Sequence, residues 1–139
     1  MPTNTIFKED FMKIAIPVDD VSMDTNICIS FGRTPYFMIF DTETSDAMFL
    51  DNSGAAIQGG AGIKAAQAIV DSNVEALLTP RCGENAAEVI HAAGIKIYQT
   101  DGSLLRHNLQ AFADGDLELL EEIHEGFHGG KWNENSRSE

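Results

Sequence analysis

A strand, a sharp loop and a helix follow one another between residues 74 and 90, and the rest of the chain is arranged around them. A short apolar run breaks at Pro-Arg-Cys-Gly, and apolar residues then recur three and four apart, which predicts a helix over residues 84–93. Such loops lie at the carboxyl ends of strands in α/β sheets, where ligands bind. Arg81, Cys82 and the helix N-terminus favour an anionic, sulfur-seeking ligand, although a plain turn around a buried cysteine fits the same residues.

The composition indicates one acidic domain with a substantial core. The chain has 139 residues, 43% of them hydrophobic, and a formal net charge of −13. That charge repels phosphate, so we expect neither nucleic acid nor a membrane as partner. Without an apparent signal peptide or a transmembrane-length apolar run, a cytoplasmic location is expected. The two cysteines are too few for the four thiolates of an ordinary iron–sulfur cluster.

The remaining periodicities predict the order β-β-β-α-β-α-β-α. The strands are expected at residues 12–18, 36–41, 47–51, 74–79 and 96–100. Helices are expected at 63–73, at 84–93 with Gly94 as the C-cap, and after Ser103, which is the expected N-cap of the third helix. Residues 117–123 are predicted to add a further helical turn. The order implies a mixed sheet covered by helices, with the first, fourth and fifth strands as parallel neighbours. We predict a disordered lead at 1–11, a single metal-cofactor-binding-like domain at 12–124, and a flexible acidic and Gly-rich tail at 125–139.

Two further motifs carry chemistry of their own. Asp19 and Asp20 follow the first strand, where paired carboxylates bind divalent cations for phosphodiester hydrolysis, but the fourth strand ends in Leu-Thr and supplies no acid. Residues 124–128 spell His-Glu-x-x-His. A glycine within this motif and two glycines after it argue against the stable helix that a zinc protease requires.

Three motifs occur together in an order that is specific in combination. They are Ser-Phe-Gly-Arg-Thr-Pro-Tyr-Phe at 30–37, Gln-Gly-Gly-Ala-Gly-Ile-Lys-Ala-Ala-Gln at 58–67, and Gly-Glu-Asn-Ala at 83–86 followed by Ala-Gly-Ile-Lys-Ile-Tyr at 93–98. Over residues 12–117 the chain resembles the dinitrogenase iron–molybdenum cofactor biosynthesis family. The resemblance implies a three-layer, ribonuclease H-like α/β/α fold with a five-stranded mixed sheet of order 3-2-1-4-5, in which strand 2 is antiparallel. It also implies binding or carriage of metal–sulfur clusters. Family members commonly carry a histidine before Phe-Gly-Arg, where this chain has Ser30, a poor ligand for soft metals.

We therefore expect a non-enzymatic protein that binds or carries an anionic metal–sulfur cluster, containing iron or molybdenum, and exchanges it with a donor or acceptor protein. The predicted cofactor site comprises Cys28, Ser30, Arg33, Gly60, Gly62, Arg81 and Cys82. Cys28 and Cys82 are the predicted metal ligands, and Arg33 and Arg81 are expected to lower the thiol pKa values if they lie close to the cysteines. We expect Cys82→Ser to weaken binding more than Cys28→Ser. Two alternatives remain open: a divalent-metal phosphodiesterase on a ribonuclease H-like fold, and a regulatory or partner-binding module without a cofactor.

Overall fold

The computed structural model describes residues 12–52 and 60–120, which form a six-stranded sheet and three helices. The elements in chain order are β1 Lys13–Val18, β2 Tyr36–Asp41, β3 Ala47–Asp51, α1 Ala61–Asp71, β4 Ala76–Thr79, α2 Glu84–Ala92, β5 Lys96–Gln99, α3 Leu105–Ala113 and β6 Glu118–Leu119. The predicted lead at 1–11, the predicted tail at 125–139 and the His-Glu-x-x-His motif lie outside the described residues.

The sheet order is β3-β2-β1-β4-β5-β6. β1 pairs in parallel with β4, and β4 with β5, whereas β2 is antiparallel to both of its neighbours. The predicted order 3-2-1-4-5 with an antiparallel second strand is therefore confirmed, and β6 is an addition to it.

The helical turn predicted over residues 117–123 is wrong where the structure describes it. Gly115 has a φ of 78° after the end of α3, a left-handed conformation that reverses the chain. β6 then pairs antiparallel with β5, and the Leu120 N–H donates to the Ile97 carbonyl at 2.8 Å. The Leu120 side chain is buried in the core. The hydrogen bonds offered by the open edge of β5, together with this burial, favour a strand over an isolated helical turn.

Helices cover both faces of the sheet, as predicted for a three-layer fold. α1 and α2 bury Ala65, Ile69, Ala87 and Ile90 against one face, and α3 buries Leu105 against the other. Every residue of β4 is buried, as are all residues of β1 after Lys13. This double-sided burial explains why both strands are apolar without a clear alternation of polar residues.

The helix ends agree with the sequence at some positions and not at others. Gly94, predicted to cap α2, has a φ of 80° and donates to the His91 carbonyl at 2.9 Å. Ser103 does not cap α3, because the helix begins after Leu104. Instead the buried side chain of Asn108 donates to the carbonyls of Asp101 at 3.0 Å and Leu104 at 2.9 Å. None of the helices in the described part of the chain has the length and apolar content needed to cross a membrane.

Candidate functional site

An open cleft of about 690 Å³ lies at the carboxyl edge of the sheet. β1 and β4 are parallel neighbours and β3 runs in the same direction, so the chain leaves all three strands at this edge. The cleft walls come from the loop after β1, the loop after β4, and the first turns of α1 and α2. The strand order thus assembles three segments that are far apart in the sequence, residues 29–33, 60–63 and 81–86, at the position where open α/β sheets bind ligands.

Two helix N-termini open into the cleft. α1 begins after Gly60 and α2 after Gly83, and neither start is capped by a side chain of the residues that the structure describes. The first intrahelical bonds are made by the N–H groups of Lys64 and Ala87. The preceding N–H groups of each first turn therefore lack an intrahelical acceptor and carry partial positive charge. Both first turns line the cleft, so this region of the fold favours an anion.

The first turns of α1 and α2 lie close together, and the loop after β1 packs against the first turn of α1 through a glycine. A Cβ added to Gly62 would be 3.8 Å from the Cβ of Ala86, which is an ordinary contact distance. A Cβ added to Gly32, in the loop after β1, would be only 2.9 Å from the Gly62 nitrogen. Gly32 therefore allows this loop to pack directly against the first turn of α1.

Arg33 and Arg81 line the cleft from opposite loops. Both residues are exposed, and within residues 12–52 and 60–120 neither guanidinium forms an ion pair. Glu84, in the first turn of α2, is the acid in the lining. Although the chain as a whole carries a formal charge of −13, the charged side chains that line this cleft within the described residues are two cations and one anion.

The two cysteines occupy different environments. Cys82 lines the cleft but is only 1% exposed, and burial raises the pKa of its thiol to about 11. The expected lowering of this pKa is therefore wrong, because desolvation disfavours the thiolate. Cys28 is half-buried and is not part of the lining; its N–H donates to the Pro17 carbonyl at 2.9 Å and its Sγ lies 3.7 Å from the Ser30 carbonyl.

Of the seven residues predicted for the cofactor site, the structure brings together all but Cys28 around the cleft. The cleft is also lined by Ile29, Ile63 and Asn85, which were not predicted from the sequence. Ile29 is 68% exposed, whereas an isoleucine in an apolar stretch normally indicates core. Asn85 could have been assigned to the site from the sequence, because it lies in the first turn of the predicted helix, whose N-terminus was expected to face the ligand.

The acids considered for phosphodiester hydrolysis do not belong to this cleft. Asp19 and Asp20 are exposed and are not part of the lining. In the described ranges no three His, Cys, Asp or Glu side chains converge to hold a metal ion. At the end of β4, Thr79 is buried and its hydroxyl donates to the Arg81 carbonyl at 2.9 Å, which shapes the loop.

Comparison with known proteins gives consistent matches. The family described as "Dinitrogenase iron-molybdenum cofactor" matches residues 12–115. An uncharacterised protein of Methanocaldococcus jannaschii is 28% identical over 119 residues, which cover 84% of this chain and 98% of that protein. The apo form of the orange protein from Desulfovibrio gigas has a TM-score of 0.75 and 33% identity, covering 78% of this chain and 92% of that one. A Thermotoga protein described as a candidate NifB protein has a TM-score of 0.73 and 32% identity, covering 86% and 99%.

Proposed function

The chain belongs to the dinitrogenase iron–molybdenum cofactor family, and on that premise we propose that its cleft binds an anionic metal–sulfur cluster as cargo. The protein would act as a non-enzymatic cytoplasmic carrier that exchanges the cluster with a donor or acceptor protein. The observation that carries the proposal is the meeting of two uncapped helix N-termini with Arg33 and Arg81, which have no ion pair among the described residues. In an acidic chain, this arrangement favours a compact anion.

The shape and position of the cleft support a cluster that arrives preassembled. The cleft is open to solvent and has a volume of about 690 Å³. A cluster that brings its own sulfide presents anionic sulfur atoms to N–H donors and guanidinium groups, so it needs few bonds from the protein to its metals. Among the similar structures, the one of the orange protein is described as an apo form, which fits a protein that exists with and without its ligand.

Thiolate ligation remains part of the proposal, with unequal roles for the two cysteines. Cys82 is the cysteine in the cleft wall, and its raised thiol pKa means that bonding to a metal must release a proton. Cys28 would have to leave its present contact with the Ser30 carbonyl and turn toward the cleft. Ser30 replaces the histidine expected from the family resemblance and offers a hydroxyl, which suits an anionic sulfur better than a soft metal.

The proposal is tested by anaerobic titration with tetrathiomolybdate, a defined metal–sulfur anion, together with metal and sulfide analysis of protein purified without oxygen. We expect saturable binding to the wild type, weakened about fivefold by Arg33→Gln or Arg81→Gln, because each loses a charge-assisted hydrogen bond at an exposed site. Arg106→Gln is the matched control. It removes the same charge from α3, where Arg106 pairs with Asp24 at 2.8 Å and is not part of the cleft lining.

The control separates specific binding from general attraction. If Arg106→Gln weakens binding as much as the cleft variants do, the attraction is non-specific and the site assignment is wrong. If the wild type binds neither tetrathiomolybdate nor any cluster during anaerobic purification, the cofactor-free regulatory module becomes the better account of the fold.

A further inference from the structure

Asn52, the residue directly after β3, is buried behind the wall of the cleft that carries Arg33. It is 6% exposed, and its side-chain Nδ2 donates to the carbonyls of Thr34 at 2.9 Å and Gly32 at 3.3 Å. Its backbone N–H donates to the Pro35 carbonyl at 2.8 Å. Asn52 thus holds the backbone on both sides of Arg33, although it lies about 20 residues further along the chain.

The neighbours of Arg33 are also fixed by contacts of their own. Gly32 packs against the first turn of α1, and a Cβ added there would be 3.0 Å from the Gly62 Cα. Thr34 is fully buried, and its hydroxyl donates to the Val18 carbonyl at 2.9 Å. The Arg33 N–H donates to the Ser30 Oγ at 3.3 Å. Arg33 itself is exposed, and the backbone on both sides of it is held in place.

We propose that Asn52 is a positioning residue for the anion site and that its contribution to ligand binding passes through Arg33. This inference rests on the proposed function of the cleft and adds how one of its two cations is oriented. Holding the Arg33 backbone lowers the entropy that is lost when the guanidinium binds an anion. Without the Asn52 amide, the carbonyls of Gly32 and Thr34 lose their donor, and this segment turns toward water to satisfy them.

A double-mutant cycle tests this coupling with tetrathiomolybdate as the probe. We expect Asn52→Leu, which is close in volume and lacks the amide, to weaken binding about fivefold in the presence of Arg33 and less than about twofold in the Arg33→Gln background. Asn52→Ser keeps one of the two donors and should give an intermediate loss, and it replaces Asn52→Leu if that variant does not fold. A purely structural role would lower affinity by the same factor in both backgrounds.

Asn108→Leu is the matched control, because Asn108 is also a buried amide that holds loop carbonyls, in its case beside α3. Its effect on affinity should not depend on whether residue 33 is arginine. Hydrogen exchange of the unliganded protein provides a second readout. We expect Asn52→Leu to accelerate exchange of the backbone N–H groups of residues 33 and 52, while those of β4 stay protected. Asn108→Leu should leave the exchange rates at residues 33 and 52 unchanged.

The outcomes separate the inference from the function on which it rests. If the wild type binds the probe and the cycle is additive, Asn52 is not a positioning residue and the proposed function stands. If the wild type does not bind, the proposed function fails and the exchange measurement alone decides whether Asn52 fixes the Arg33 backbone. Unchanged exchange of the Arg33 amide in Asn52→Leu overturns the inference in either case.

Discussion

The buried thiol of Cys82 allows a pH experiment to decide whether the cluster is bonded to the protein through sulfur. Because burial raises its pKa to about 11, this thiol is protonated at neutral pH. A metal–thiolate bond must therefore release a proton. If Cys82 is a ligand, the apparent association constant should increase about tenfold for each pH unit below that pKa.

The expected change in binding affinity depends on the pH interval over which it is measured. Between about pH 6.5 and about pH 8.5, thiolate ligation predicts roughly 100-fold tighter binding, equivalent to about 2.7 kcal/mol. No histidine is among the residues that line the cleft within the described chain, so no imidazole there contributes its own titration over this interval. A cluster held only by N–H groups and arginines should bind with nearly the same affinity across it.

The assay is an anaerobic titration, at several pH values and constant ionic strength, with a preassembled copper(I)–tetrathiomolybdate cluster, whose copper can add a thiolate without losing sulfide. We expect a steep slope for the wild type and for Cys28→Ser, and a flat line for Cys82→Ser. Any titration of the probe itself appears in all three proteins and cancels in the comparison. Tight, pH-independent binding by the wild type would refute ligation by Cys82, and loss of the slope in Cys28→Ser alone would transfer that role to Cys28.

The remaining predictions concern stability, measured by urea unfolding. Gly32→Ala should lower the free energy of unfolding by about 1–3 kcal/mol, because the added Cβ would be 2.9 Å from the Gly62 nitrogen. Gly62→Ala is the control and should change the free energy of unfolding by less than about 1 kcal/mol. Equal effects of the two substitutions would contradict the close contact at Gly32. Asn108→Ala should cost about 2–3 kcal/mol by leaving the Asp101 and Leu104 carbonyls without their donor, and a loss below about 0.5 kcal/mol would show that water replaces it. Because the pKa of Cys82 rises from 9.0 to about 11 on folding, its thiol contributes stability that is present below pH 9 and is lost as pH rises to 11, by about 3 kcal/mol. Cys82→Ala should not show this loss of the free energy of unfolding between pH 9 and pH 11. If the variant loses as much stability over this interval as the wild type, the raised pKa is contradicted.

Much of the candidate site could be predicted because strand order determines which loops share an edge. Once β1 and β4 are parallel neighbours, the loops that follow them must open on the same side. Arg33, Arg81 and the glycine-led helix starts could therefore be assigned to one cleft before their positions were known. Burial of a loop side chain does not follow from strand order. For that reason both Cys28 and Cys82 were predicted as metal ligands, although only Cys82 lies in the cleft wall.

Local periodicity and the handedness of crossovers were enough to predict the order of the elements and the parallel pairing of the first, fourth and fifth strands. The three layers and the full strand order were predicted from the family resemblance. The path of the long loop after β1 depends instead on contacts that form only in the folded protein. The Ile27 N–H donates to the Ser103 carbonyl at 2.7 Å, and Asn52 holds the backbone on both sides of Arg33. These hydrogen bonds join residues that are far apart in the chain, so no local pattern encodes them. The raised thiol pKa of Cys82 likewise depends on the core that surrounds it, which exists only after the helices have packed on the sheet.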